Sequence, residues 1–196
     1  ALRNLMDAMR PEDPVEPIPP GVKRRPLLFE VGSKGAKEHF RLLTSTVTHF
    51  PALMAIGEVY LAMPRPDDTF VSDFQTSNFD SRLWEMYLVA AFREQGIVVA
   101  QKHPSPDFYI ERAGHECYVE AVTANPTGND RTQGLTLPTF APEDLKERLL
   151  GPPAARYAKT LRSKLQREYH KLPHVDGSPF AIAIAIFVNH NYAGIV

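Results

Sequence analysis

The residues best placed to do chemistry in this chain are Asp107 and Glu120, thirteen positions apart. The run Pro106-Asp107-Phe108-Tyr109-Ile110-Glu111 alternates polar and apolar, as does Glu116-Cys117-Tyr118-Val119-Glu120-Ala121, which is the period of half-buried strands. Between them, Arg112-Ala113-Gly114-His115 is turn chemistry. A two-residue loop at Ala113-Gly114 sets Asp107 directly across from Glu120, with Cβ atoms roughly 4.5–5.5 Å apart. Alternation assigns Phe108, Ile110, Cys117, Val119 and Ala121 to the buried face and leaves Asp107, Tyr109, Glu111, Glu116, Tyr118 and Glu120 on the other. Two like charges so close repel, and the arrangement calls for a cation between them.

The same residues carry a resemblance. Pro106-Asp107, a short hairpin and then Glu120-Ala121-Val122 resemble the core motif of the PD-(D/E)XK nucleases, the superfamily of many restriction enzymes, junction resolvases and repair exonucleases. The likeness spans roughly residues 78–190. It implies an α/β fold, a mixed central β-sheet flanked by helices in the restriction-endonuclease-like order α-β-β-β-α-β. The implied activity is a metal-dependent nuclease that hydrolyses phosphodiester bonds, with DNA as substrate and Mg2+ or Mn2+ as cofactor. Asp107 and Glu120 would be direct ligands, the Ala121 carbonyl a further one, and Glu85 on the preceding helix would join directly or through water. A divalent cation neutralises the scissile phosphate, activates water and stabilises the leaving oxygen, and Mg2+ needs only a few protein oxygens because it keeps several waters. The chain departs from the motif where its lysine belongs, since that position is Val122. Lys164 and Lys159, on a later helix, are the available substitutes; Lys164 is preferred because Lys159 falls nearly opposite that helix's apolar stripe.

Several elements must position these groups. Asn78 or Asp80 can cap a helix whose apolar stripe is Trp84, Tyr87, Leu88, Ala91 and Phe92, closed by Gly96, with Glu85 at the stripe's margin. Ile97-Val98-Val99-Ala100 leads into the hairpin. A second helix is expected from about Ala154 to Lys171, with Ala158, Leu161, Leu165, Glu168 and Leu172 down one side and Lys164 about 60° off that stripe. Phe180-Ala181-Ile182-Ala183-Ile184-Ala185-Ile186-Phe187 is apolar on both faces and predicts a central strand covered on both sides. Upstream, Leu27–Val31 suggests a short strand and Lys34 to about Phe50 a helix through Phe40, Leu43 and Val47. Ala52–Met63, bounded by prolines, is apolar and ambiguous.

Six prolines between residues 11 and 26 read as an extended arm, so residues 1–26 form a linker and 27–196 one domain, a size that supports a single core. Residues 126–153 lose periodicity apart from a short helix over Pro142–Leu150, and form an insertion suited to a substrate-binding loop. Asn125, just ahead of it, could point at a phosphate or cap the following turn. The net charge of −1 argues against a protein that coats nucleic acid, but Lys146–His174 holds eight Lys/Arg against two acids. That basic stretch suits an anionic ligand on one face. The lone Cys117 reads as a small core residue, and the seven histidines are scattered without zinc spacing. No apolar run is long enough to span a bilayer and no secretory signal opens the chain, so a cytoplasmic location is expected. The missing initiator Met and the abrupt end at Ile195-Val196 suggest part of a longer product.

Two further readings stay open. A nuclease fold that has lost its lysine could serve as an inactive nucleic-acid-binding or protein-interaction module, and paired acids on a hairpin also arise in unrelated α/β domains.

Overall fold

A computed structural model describes residues 25–30, 35–64, 66–125 and 151–186. Most of the arm, the 126–150 part of the insertion with its expected short helix, and residues 187–196 lie outside them. Helices α1 (Glu38–Ser45), α2 (Phe50–Ala62), α3 (Phe70–Gln75) and α4 (Phe79–Glu94) precede strands β1 (Val98–Ala100), β2 (Phe108–Arg112) and β3 (His115–Thr123). Helix α5 (Pro152–Leu165) and strand β4 (Phe180–Ala185) follow. The four strands form one mixed sheet in the order β1-β2-β3-β4, antiparallel except for the parallel β3–β4 pair. The molecule is thus mixed α/β, with helices flanking a four-stranded sheet.

The hairpin takes the expected register. Arg112 pairs with His115 and Phe108 with Val119, which leaves Ala113 and Gly114 as the loop, both with positive φ (51° and 79°). Two consecutive left-handed residues make the tight turn whose twist matches the strands.

Helix α4 ends as its sequence predicts. Gly96 has φ +68°, its N–H reaches Arg93 O, and the N–H of Ile97 reaches back to Phe92 O, the pattern that terminates helices on a left-handed residue. Its buried face differs from the expected stripe: Met86, Leu88 and Val89 are buried, whereas Tyr87 is 62% exposed. The helix lies between the sheet and the α2–α3 layer, so its interior surface is wider than one stripe and turned from it. There Phe40, Phe70, Phe74 and Phe79 join Phe108 and Val119 in the main core.

Four other expectations are corrected. Leu27–Glu30 forms a turn and no strand; the Gln75 side-chain amide donates to Leu28 O and Glu30 O, satisfying acceptors that a strand partner would otherwise take. The helix expected over 34–50 is shorter: it breaks at Thr46, which is extended, and Pro51 occupies the first turn of α2, where its missing N–H costs nothing. Ala52–Met63 thereby resolves as helix, with Phe50 helical ahead of the proline. Helix α5 stops at Leu165 short of Lys171, and Ala158 and Leu165 are exposed. Arg156, Thr160, Leu161 and Lys164 are half-buried instead, a largely polar inner face that an apolar-stripe argument cannot find. Strand β4 is half-buried and ends the sheet among the described residues, where a strand covered on both sides and central was expected.

Candidate active site

Asp107 stands one residue ahead of the last ladder pair, in line with Glu120. Its Oδ2 accepts the N–H of Ala121 at 2.7 Å. Tyr118 N and Ala124 N bond toward β4, so alternation turns the Ala121 N–H toward β2, and the Asp107 carboxylate takes the position the next ladder carbonyl would fill. Glu120 is one of only two buried polar residues among those described, at 4% exposure. Lys164 reaches it from α5, with Nζ 2.5 Å from Oε1, and the Tyr169 hydroxyl donates to the same oxygen at 2.8 Å. Lys159, on the outside of α5, is exposed.

Glu85 joins from α4. Arg82, one turn earlier, donates to both its carboxylate oxygens at 3.2 and 3.3 Å. The same guanidinium bonds Asp73 at 2.6 Å and Asp67 at 3.0 Å and lies over the Phe70 ring, so α3 and α4 are tied together beside the site. Burial pushes the Glu85 carboxyl up to about 7 despite Arg82, with Asp107 adding repulsion. Burial and then the Glu120 charge raise Asp107 to about 6, against the lowering effects of the Ala121 N–H and Lys164. The Asp107 charge thus acts on Glu85, and the Glu120 charge on Asp107, in a partly desolvated space, the condition under which acids become proton carriers or cation ligands.

The donor chemistry suits a hard divalent ion, which takes carboxylate oxygens and fills the rest of its shell with water. Among the described residues no group of three or more His, Cys, Asp and Glu side chains is placed to hold a metal ion. Both bonds to Glu120 fall on Oε1, so neither engages Oε2.

Other acids of this face are drawn elsewhere. The Tyr109 hydroxyl bridges Glu111 and Glu116 at 3.1 and 2.9 Å, and Ser178 donates to Glu116, forming a separate cluster near the turn. Asn125 donates to Asp80 Oδ2 at 2.9 Å, where Lys37 also binds, so Asp80 ties α1, α4 and the end of β3 together; the capping position is Asn78, whose side chain makes no cap bond. Cys117 is half-buried against the core. His103 and His174 stack with ring centres 3.8 Å apart, a contact that their separation in sequence conceals.

Arg82 and Tyr169 were not anticipated from sequence. Arg82 had a local signal, since an arginine three residues before a helical glutamate is its neighbour on the surface. Tyr169 had none, because it reaches Glu120 only through the unexpected end of α5. Comparisons with family models, with curated proteins and with solved structures find no match to this chain. None of the described helices is long and apolar enough to cross a membrane.

Proposed function

We propose that this chain is a divalent-metal-dependent phosphodiesterase acting on nucleic acid, DNA being the expected substrate, with Asp107, Glu120, Lys164 and Glu85 as its working residues. The observation that carries the reading is Lys164: a lysine from the helix after the hairpin delivers its ammonium to Glu120 at 2.5 Å, supplying the charge that Val122 cannot. The element order α4-β1-β2-β3-α5-β4 lends the reading further support. Asp107 and Glu120 would hold Mg2+ or Mn2+, with Ala121 and Glu85 beside them. The ion, when bound, supplies Lewis acidity toward the phosphate and lowers the pKa of water. The chain's own groups do the rest. Lys164 offsets phosphate charge and orients the attacking water, the Ala121 N–H fixes Asp107, and Glu85, poised near neutrality, can hold or accept a proton at its carboxyl. The basic stretch on and after α5 supplies sequence-independent attraction for a phosphate backbone.

The test is incubation with supercoiled and single-stranded DNA in Mg2+ or Mn2+, with EDTA and Glu120→Gln as controls. Cleavage that needs the ion and is lost in Glu120→Gln is the expected outcome. A pure wild-type protein that cleaves neither substrate, or a Glu120→Gln protein that cleaves as well, would remove the proposal. One observation favours the second reading, an inactive binding module: Glu120 already has two partners, and among the described residues no three-donor group is assembled. That reading expects DNA binding with no response to divalent ions.

A further inference from the structure

We infer that Tyr169 is a positioning residue for Glu120, and that the turns following α5 exist to deliver it together with Lys164. The inference rests on the metal-dependent reading of the site and adds to it a residue outside any motif.

The chain leaves α5 at Leu165 through bonds from Arg167 N to Lys164 O and from Glu168 N to Leu165 O. Glu168 then adopts a left-handed conformation, φ 51° and ψ 41°, unfavourable for a residue with a side chain. This reversal drops Tyr169 onto the sheet, where it is 5% exposed and tilts against the Phe180 ring at 5.4 Å. A tight series of backbone bonds continues from Lys171 N to Glu168 O, Leu172 N to Tyr169 O and Val175 N to Leu172 O. Val175 and Leu172 are packed against Tyr109 and Tyr118. Tyr169 is thus fixed from both sides, by packing and by backbone.

Its hydroxyl accepts a bond from Arg167 Nη1 at 3.1 Å and donates to Glu120 Oε1 at 2.8 Å. The guanidinium polarises the O–H toward the carboxylate, strengthening a bond that is already charge-assisted. Lys164 and Tyr169 approach the same oxygen from one continuous segment, so together they fix the rotation of the carboxyl group. A ligating carboxylate held by such an outer partner keeps its other oxygen oriented for a cation, and loss of partners of this kind typically costs about 10–100-fold in metal affinity. A purely structural tyrosine would not need its hydroxyl on Oε1.

The experiment measures Mn2+ binding to the full chain by calorimetry or by loss of the free-ion electron spin resonance signal, alongside melting temperature. Tyr169→Phe keeps the ring and removes only the hydroxyl. Wild-type protein should bind Mn2+, folded Tyr169→Phe about 10-fold or more weakly, and Arg167→Met about 2–5-fold more weakly, since it acts through Tyr169. Tyr157→Phe, on an exposed residue of α5, should match wild type. Wild-type binding with equal or tighter binding by folded Tyr169→Phe would overturn the positioning role and leave the metal site standing. If Tyr169→Phe does not fold, Arg167→Met decides, an unchanged affinity counting against the role. Wild-type protein that does not bind Mn2+ would sink the metal-dependent reading, and the role of Tyr169 with it.

Discussion

On one face of the β2–β3 hairpin, Phe108, Ile110, Cys117 and Val119 meet Met86, Val89 and Phe92 of α4 in an apolar interior. On the other, Tyr109, Tyr118 and Glu120 are equally hidden, yet what covers them is the turn segment after α5, with Tyr169, Leu172 and Val175. Both faces come from one alternating sequence, but they are closed by different physics. The first excludes water with side chains that need no partners, so any well-fitting apolar group would serve. The second buries a carboxylate, and can do so only because Lys164 and Tyr169 meet it. Stability belongs chiefly to the first face, and chemical potential to the second.

The largest effect is expected on the apolar face. Phe108, 3% exposed and in edge contact with Phe92, should lose about 3–5 kcal/mol on Phe108→Ala, read as a lower denaturant midpoint. If Phe108→Ala cost no more than Glu120→Gln, the division of labour would be wrong.

Next comes the ion pair. Lys164→Ala should cut DNA cleavage by at least about 10²-fold, the scale of losing one electrostatic stabiliser of a transition state, while DNA binding weakens far less. Lys159→Ala should leave turnover nearly unchanged. Similar rates for the two variants would show that Lys164 serves only to neutralise Glu120.

A third prediction concerns pH. Glu85 and Asp107 titrate near 7 and 6 in the fold, above their unfolded values of about 4. The folded state therefore holds those protons more tightly. The stability this provides is fully present below about pH 4 and is lost as pH rises through 6 and 7, on the order of 2–3 kcal/mol per group. The melting temperature of metal-free protein should fall between pH 5 and 8, and millimolar Mg2+ or Mn2+ should restore it. Asp107→Asn and Glu85→Gln should flatten the profile, with Asp107→Asn melting at or above wild type at pH 8. A wild-type melting temperature that climbs over this interval would contradict the raised values.

The smallest effect sharpens the hairpin both faces share. Ala113 holds φ 51°, where a Cβ is disfavoured, so Ala113→Gly or Ala113→Asn should stabilise by up to about 1 kcal/mol without altering cleavage. A loss of stability instead would mean that the turn tolerates alanine for a reason outside its backbone.

Local periodicity and turn chemistry made part of the molecule legible before folding was considered. Alternation and the Ala113-Gly114 turn gave the β2–β3 register, and with it the opposition of Asp107 and Glu120; Gly96 ended α4; the mixed α/β class followed from a helix leading into strands. What the sequence could not specify were contacts between segments distant in the chain. Tyr87 is apolar and in phase with its helix yet exposed, because which face is inner depends on the layers that sandwich α4. Helix α5 gave the clearest failure: its apolar phase extended to Leu172, but the fold turns Arg156, Thr160 and Lys164 inward and stops the helix at Leu165, since Glu120 needs cationic and hydroxyl partners more than Leu165 needs burial. Strand β4 carried the composition of a fully covered strand and, among the described residues, stands at the edge, because strand order is set by pairing. Tyr169 and Glu120 are separated by 49 residues, and no local rule reaches that far; only the tertiary structure decides which buried charge finds which donor.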